Sequence, residues 1–365
     1  MRWRETVCEI VEKKQSPMYE LDLTRRIVLP ESSISLLKDL GVTENIIRKQ
    51  LRPAKAWRFI TGDLQPLREG IQDPGCAPSE PVFHVSEGRL LRALRTEFCR
   101  FGGVVTWGTE ALDPFEATDA SGKWFMRKEF GPATDAEAII SYSNSNLHFK
   151  REMFAEEPDS IVVLFDVTTG VCNKPSTDIL ALFGTDFDVV MALGASTALH
   201  MWMIGGQQHP NRVAWKLIGK GRSDIAALTD QLHPALKLLM EASVNKHTEP
   251  LLIPASTPSF RDDMQHIRIS VMGDAMLPVD PFEWRGDRAL TEIQEASALV
   301  RAFYSEKFSR GSVSEQLRNV EQDSLARRAT LLKRDLRDAE HFLSVRPELD
   351  DSDNESGPRL KRVGV

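Results

Sequence analysis

The stretch VMGDAMLPVDPFEWRGDRALTEI, residues 271–293, contains the most specific motif of the sequence. An apolar strand ends in Gly273, Asp274 and Ala275, a proline-rich turn follows, and a helix begins close to Gly286. This order is typical of a sugar-like chain or a phosphate that lies against a helix N-terminus, where backbone N–H groups attract oxygen atoms. Asp274 is therefore a candidate ligand-binding residue of this stretch.

The composition is that of an acidic globular protein. The 365 residues are 41% hydrophobic, which is enough for a sizeable core and for two packed units. A net charge of -7 argues against a nucleic-acid partner. No apolar run approaches the roughly 20 residues that cross a bilayer, and the N-terminus carries charges where a secretory signal would be apolar. With four scattered cysteines and no CxxC pair, we expect a cytoplasmic protein.

Helical and strand-like segments alternate along the chain. The run SEGRLLRALRTEFCRFGG places Leu90, Leu94 and Phe98 on one helical face. Strand-like runs dominate residues 159–254, and two helical runs follow Gly286. The last residues, 350–365, are charged and polar, so we predict a disordered tail there.

The order of these pieces resembles the flavin-dependent aromatic hydroxylases, the single-component FAD monooxygenases. VCEIVEKK, residues 7–14, is similar to the second strand of that family, and RRIVLPESSISLLKDLGV, residues 25–42, to its next strand and helix. SEGRLLRALRTEFCRFGGVV, residues 86–105, resembles the helix and strand that come after. The residues that fit the family's Gly-Asp motif are Gly273, Asp274, Ala275, Pro278, Pro281 and Phe282.

The resemblance implies an α/β fold with a Rossmann-like FAD-binding unit whose first β-α element is missing. That unit would comprise residues 1–65, 84–158 and 255–310. A substrate-binding sheet domain, residues 159–254, would be inserted between its parts, and a helical segment, residues 311–349, would close over it.

The same resemblance implies four cofactor-binding residues. Asp274 would hold the ribityl chain of FAD, with Gly273 beside it. Gly286 would let the backbone approach the cofactor closely, because a side chain there would block the ligand. Glu12, at the end of the second strand, would bind the adenosine ribose. Asp274 taken alone is also a plausible turn or N-cap residue, and Glu12 a solvated strand end.

The sequence departs from the family pattern at several positions. No glycine occurs before Gly41, so the G-x-G-x-x-G phosphate loop is absent, and we expect it to be encoded upstream of Met1 or to be lost. Glu87 stands where the family has an arginine, and Ser143 and Asn144 stand in place of an Asp-Gly element. The small residues that admit the flavin ring align with Trp284 and Arg288, and Leu277 replaces a frequent histidine.

Other chemistry has weaker support. The histidines occur singly, without the spacing of metal ligands, so no metal site is predicted. The cluster LHMWMIGG around His200 is consistent with an apolar substrate pocket and equally with ordinary sheet core. No residue is singled out as a catalytic acid or base.

Three functions are compatible with these features. The first is an FAD- and NAD(P)H-dependent monooxygenase of a small aromatic or polyketide-like molecule, typical of secondary metabolism. The second is a flavin-free isomerase or cyclase that uses the old substrate cleft. The third is a non-catalytic binding protein. The first ranks ahead because a single missing segment explains the sharpest departure from the family pattern.

Overall fold

The structure is a computed structural model of the 365-residue chain. It describes residues 8–12, 26–53, 56–65, 80–109, 115–116, 124–126, 128–129, 134–136, 138–141, 160–167, 187–194, 196–203, 213–220, 229–230, 232–242, 251–257, 269–283, 285–304 and 313–344.

The described part of the chain contains both strands and helices, and its parallel strand pairs are those expected of an α/β protein. The strands are β1 (Glu9–Glu12), β2 (Arg26–Pro30), β3 (Arg52–Pro53), β4 (Ala56–Thr61), β5 (Val82–Ser86), β6 (Val104–Trp107), β7 (Phe115–Glu116), β8 (Trp124–Met126), β9 (Thr134–Ala136), β10 (Ile139–Ser141), β11 (Ile161–Val167), β12 (Phe187–Leu193), β13 (Thr197–Met203), β14 (Val213–Lys220), β15 (Leu251–Ile253) and β16 (Ile269–Val271). The helices are α1 (Glu31–Asp39), α2 (Glu44–Arg48), α3 (Glu87–Arg100), α4 (Pro234–Glu241), α5 (Asp287–Tyr304) and α6 (Val313–Ser344).

The largest sheet has six strands in the order β15-β11-β14-β13-β12-β4. Its neighbours are antiparallel except for β4 and β12, which run parallel. Successive side chains of a strand point to opposite faces of the sheet. In this sheet both faces are buried. One face packs on α4 through residues such as Met201 and Leu236, and the other packs on α6 and the turn around Phe282. The sheet is therefore a middle layer between helices.

A smaller antiparallel sheet, β2-β5-β3, lies beside α1, α2 and α3. Leu29, Ile34, Ile47 and Leu90 form its core. Val28 of β2 faces His84 of β5 in the register of this sheet. Helix α5 packs against the same core, so the small sheet contacts the element that follows the Gly-Asp motif.

Two pairs of parallel strands complete the α/β part of the described chain. β1 pairs with β6, and β10 pairs with β16. Parallel neighbours need crossover connections, which is the arrangement expected for a Rossmann-like unit. A separate three-stranded antiparallel sheet has the order β7-β8-β9.

Helix α6 is the described part of the predicted C-terminal helical segment. It packs along α5 and contacts β16, β13 and β14, so it links both kinds of sheet. The predicted tail, residues 350–365, lies outside the described residues. The predicted domain boundaries stay a prediction. Strand β4, within the predicted segment 1–65, pairs with β12 of the large sheet.

Within the ranges that the structure describes, no helix combines the length and the apolar character needed to cross a membrane.

Candidate functional site

The Gly-Asp motif forms a tight turn directly after β16. Gly273–Ala275 is a single turn of 3-10 helix, and Gly273 adopts a φ of 62°, a conformation that favours glycine. The Gly273 N–H donates to Glu295 Oε2 at 3.1 Å. The protein itself therefore satisfies this N–H, and the carboxylate of α5 fixes the turn.

The Asp274 carboxylate lies in a cluster of charged side chains, and its two oxygens have different surroundings. Oδ2 accepts a hydrogen bond from Arg288 Nη2 at 2.6 Å. Oδ1 is shielded from solvent and accepts no hydrogen bond from the described residues, although Arg328 Nη1 lies 3.7 Å away. A shielded carboxylate oxygen without a donor is costly. Oδ1 therefore fits a hydroxyl donor such as one on a ribityl chain.

Arg288 lies in the first turn of α5, among carboxylates. Its Nη1 is 3.2 Å from Glu283 Oε1 and its Nε is 3.3 Å from Glu292 Oε1, in addition to the bond to Asp274. The Asp274 carboxylate, with Glu292, Glu283 and Glu87 adding to it, raises the pKa of Arg288 well above its usual value. Arg288, which aligns with a small residue of the family pattern, therefore forms an ion pair with Asp274, the predicted cofactor-binding residue.

A buried ion pair supports the turn from behind. Arg328 of α6 and Glu295 of α5 are both fully buried, and Arg328 Nε lies 2.6 Å from Glu295 Oε1. Arg328 Nη1 also donates to the Leu277 carbonyl at 2.8 Å, and the Ser324 hydroxyl donates to Glu295. Helix α6 therefore holds the turn in place through a network of hydrogen bonds.

The sequence contained one signal of this ion pair. Arg328 lies at helical spacing between the buried apolar residues Leu317, Val320 and Leu332 of α6. A charged residue within an apolar stripe needs a buried partner.

Asp280 caps the start of α5. Its Oδ2 accepts from the Arg288 N–H at 3.3 Å and its Oδ1 from the Glu283 N–H at 3.0 Å. Its own N–H donates to Asp335 Oδ2 at 2.7 Å. Burial, with the nearby carboxylates, raises the pKa of Asp280 to about 6 and that of Asp335 to about 8. The sequence predicted a sugar-like chain or a phosphate at the start of α5. One backbone N–H group there, that of Arg288, is instead bonded to the Asp280 side chain.

Gly286 lies where α5 begins, with a φ of 76°. A Cβ atom built there would be 2.5 Å from the Val28 carbonyl oxygen and 2.7 Å from Pro30 Cδ. The closest neighbour of Gly286 is therefore the end of β2. Its predicted role beside a cofactor stays a prediction.

Glu12 is the last residue of β1, opposite Trp107 of β6. Its carbonyl accepts from the Thr109 N–H at 3.3 Å. β1 and β16 belong to different strand pairs, so the described pairings do not connect Glu12 with Asp274. Trp284, Ser143 and Asn144 lie outside the described residues.

A small crevice with a cavity volume of about 20 Å³ lies next to the charge cluster. Its lining residues are Arg26, Val28, His84, His200, Trp202, Lys216, Phe282 and Glu283. Glu283 connects the two regions, because its Oε2 lies 3.1 Å from Lys216 Nζ while its Oε1 lies 3.2 Å from Arg288. A chain of ion pairs therefore runs from Asp274 through Arg288 and Glu283 to Lys216.

Side chains alternate between the two faces of β13, so the residues of LHMWMIGG fall into two groups. His200 and Trp202 line the crevice, whereas Leu199 and Met201 lie in the core against α4. Lys216 stands opposite His200 in the register of β13 and β14 and is almost fully buried. No motif in the sequence pointed to Lys216 or His84.

Burial sets the protonation of the polar groups in the crevice. It lowers the pKa of His84, and the charge of Arg26 lowers it further. It also lowers the pKa of His200, with a second contribution from Lys216. Both imidazoles are therefore neutral near pH 7. Burial lowers the pKa of Lys216 as well, while Glu283 and Asp280 oppose the shift.

Solved structures of flavoenzymes are similar to this chain. FqzB matches with a TM-score of 0.64 and 16% identity over 92% of this chain and 77% of its own. PqsL of Pseudomonas aeruginosa, described as a probable FAD-dependent monooxygenase, matches with a TM-score of 0.56 and 12% identity over 92% and 89%. HpxO of Klebsiella pneumoniae, in complex with FAD and uric acid, matches with a TM-score of 0.57 and 12% identity over 93% and 90%.

No protein-family model matches the chain, and no curated protein matches it in sequence. At sequence identities of 10–16%, these structural similarities show the fold. They confirm the resemblance predicted from the Gly-Asp motif and the order of strands and helices. The chain has the α/β fold of solved FAD-dependent monooxygenases.

Proposed function

We propose that the protein is an FAD-dependent monooxygenase that hydroxylates a small aromatic or polyketide-like molecule and takes electrons from NAD(P)H. The observation that carries the proposal is Asp274 Oδ1 at the turn that follows β16, a shielded acceptor that receives no hydrogen bond from the described residues. The fold shared with FAD-dependent monooxygenases supports it. HpxO was solved in complex with FAD and uric acid, which is consistent with a small planar substrate.

The residues of the site fit one part of the cofactor. Asp274 Oδ1 would accept a hydrogen bond from a ribityl hydroxyl, and the Arg328–Glu295 pair would keep the turn in position. FAD, when bound, supplies the reduction and activation of dioxygen. The apolar walls of the crevice, Trp202 and Phe282, would exclude water from the substrate.

The carboxylates of the cluster would disfavour the pyrophosphate. Asp274, Glu283 and Glu292 all surround Arg288, so a doubly charged group gains little from this guanidinium. The proposal therefore places the sugar alcohol, and not the pyrophosphate, at Asp274. It assigns no described residue to the phosphates.

Equilibrium titration with FAD tests the proposal. Asp274→Asn keeps the size of the side chain but removes the charge, so one charge-assisted hydrogen bond of about 1.5–3 kcal/mol is weakened. We expect Kd to rise by about 10- to 100-fold. Asp39→Asn, on the exposed end of α1, is the matched control and should leave Kd unchanged. Equal affinities of Asp274→Asn and the unaltered protein, or no uptake by either, would contradict the proposal.

The second candidate is a flavin-free isomerase, a cyclase or a binding protein on the same scaffold. The 2.6 Å contact between Arg288 and Asp274 favours it, because the guanidinium already occupies one oxygen of the predicted ligand. Turnover of a substrate under anaerobic conditions without added nucleotide would support an isomerase or cyclase. A strict dependence on oxygen would exclude it.

A further inference from the structure

Asp274, the predicted cofactor-binding residue, contacts two arginines that are held very differently. Arg328 is fully buried and is fixed by Glu295 and by the Leu277 carbonyl. Arg288 keeps 25% of its side chain exposed, and its Nη2 lies 2.6 Å from Asp274 Oδ2. Arg288 is therefore the partner nearer to solvent, and its side chain can leave Asp274 without disturbing the buried network.

Two other carboxylates contact the same guanidinium. Glu283 Oε1 is 3.2 Å from Arg288 Nη1, and Glu292 Oε1 is 3.3 Å from Arg288 Nε. Their side chains are 26% and 38% exposed, compared with 18% for Asp274. A guanidinium carries five N–H donors, so it can stay bonded to these two carboxylates after it leaves Asp274. Its departure from Asp274 therefore moves the charge toward solvent and leaves it paired.

The backbone of Arg288 does not have to move with its side chain. Arg288 lies in the first turn of α5, and its N–H donates to Asp280 Oδ2 at 3.3 Å. Glu292 lies one helical turn further along, on the same face of α5. A change of side-chain rotamer is thus sufficient to break the contact with Asp274, and the helix stays intact.

The second oxygen of Asp274 indicates that the carboxylate is closed in this arrangement. Oδ1 is shielded from solvent and receives no hydrogen bond from the described residues. A hydroxyl group of a ligand would satisfy this acceptor, but a shielded atom is not accessible to a ligand in solution. A group that covers the carboxylate has to move first. Of the two arginines in contact with Asp274, only Arg288 is partly exposed.

We propose that Arg288 is an autoinhibitory counter-ion of Asp274. It closes the carboxylate in the protein without ligand, and a hydroxyl group gains access when the guanidinium turns toward Glu283 and Glu292. The inference rests on the proposed function in taking the ribityl chain of a flavin as the ligand. A ligand that binds only the open arrangement has its affinity lowered by the fraction of molecules that are closed. Removal of the guanidinium should therefore tighten binding.

Riboflavin is the most direct probe, because it carries the ribityl chain without a charged phosphate. Quenching of its fluorescence on titration with the full chain gives Kd. Arg288→Met should lower Kd by about three- to tenfold, the range expected for a partly exposed ion pair. Arg288→Lys retains a positive charge and should give an intermediate Kd. Arg301→Met, in the exposed last turn of the same helix, is the matched control and should leave Kd unchanged.

Equal Kd values for Arg288→Met and the unaltered protein would overturn the inference. So would a failure of both proteins to bind riboflavin.

Glu292→Gln tests the inference from the opposite direction. It removes a carboxylate that receives the guanidinium, so Arg288 should stay on Asp274 for more of the time and riboflavin should bind more weakly. The same change should have no effect when it is added to Arg288→Met. Weaker binding that persists in the double variant would overturn the inference, because the two residues would then act independently. If Arg288→Met does not fold, unchanged binding by Glu292→Gln alone overturns it.

Salt provides a readout that a purely structural role of Arg288 would not move. Salt screens a partly exposed ion pair, whereas riboflavin has no net charge. Raising NaCl from about 20 mM to about 500 mM should tighten the binding of riboflavin to the unaltered protein more than to Arg288→Met. The same response in both proteins would overturn the inference.

Oxygen consumption in the presence of FAD and NAD(P)H, measured separately, distinguishes this inference from the proposed function. Tighter riboflavin binding by Arg288→Met without FAD-dependent oxygen consumption would refute the proposed monooxygenase alone. FAD-dependent oxygen consumption with equal riboflavin affinities would refute the inference alone.

Discussion

Replacing Arg328 by methionine should be among the most damaging single changes in the chain. The substitution removes two bonds to Glu295, at 2.6 and 3.1 Å, and one to the Leu277 carbonyl at 2.8 Å. It leaves the Glu295 carboxylate at 0% exposure without its cation. Loss of one partner of a buried ion pair costs about 3–5 kcal/mol. The free energy of unfolding should fall by that amount.

Equilibrium urea unfolding, followed by tryptophan fluorescence and by far-UV circular dichroism, measures the change. Arg337→Met makes the same replacement at an exposed position of α6 and should cost less than about 0.5 kcal/mol. Adding Glu295→Met to Arg328→Met should recover part of the loss, because an apolar pair replaces a lone buried charge. An Arg328→Met variant as stable as Arg337→Met would refute the reasoning that this ion pair fixes the Gly273–Ala275 turn.

Two further changes test other parts of the site. Burial raises the pKa of Asp335 from 3.8 to about 8, so the folded protein keeps a proton that the unfolded chain releases, and stability should fall as pH rises between these values. Asp335→Asn keeps an oxygen that accepts from the Asp280 N–H but does not titrate, so the loss of unfolding free energy between pH 5 and pH 9 should shrink by up to several kcal/mol. Urea unfolding at the two pH values measures this loss, and an unchanged loss would contradict the prediction. Gly286→Ala should destabilise the fold well beyond the roughly 1–2 kcal/mol of a left-handed alanine, because its Cβ would lie 2.5 Å from the Val28 carbonyl oxygen. Gly41→Ala, with a φ of 88° and no atom within 4 Å, should cost only that smaller amount, and equal thermal shifts for the two variants would be inconsistent with the close approach.

The fold could be predicted because its decisive signals are local. A strand that ends in Gly273 and Asp274, followed by a turn and a helix at Asp287, is encoded in consecutive residues. The spacing of Leu90 and Leu94 likewise marked α3. Local patterns determine which elements form and in what order, and the order of elements was enough for the resemblance.

The charges around Asp274 could not be predicted, because they depend on contacts between distant residues. Arg328 and Glu295 are 33 positions apart, and Asp280 and Asp335 are 55 positions apart. The crevice depends on the register of β13 with β14, which brings Lys216 opposite His200, and on β5, which supplies His84. Arg288 aligned with small residues in the sequence, but only the structure shows that its guanidinium contacts Asp274.

An experimental structure of the chain with FAD tests the central claim most directly. The claim concerns one atom, Asp274 Oδ1, which accepts no hydrogen bond from the described residues. We predict a ribityl hydroxyl within about 3 Å of this oxygen, the distance of an O–H···O hydrogen bond. A structure with FAD bound elsewhere, or with both Asp274 oxygens held by Arg288 and Arg328 and no flavin present, would contradict it.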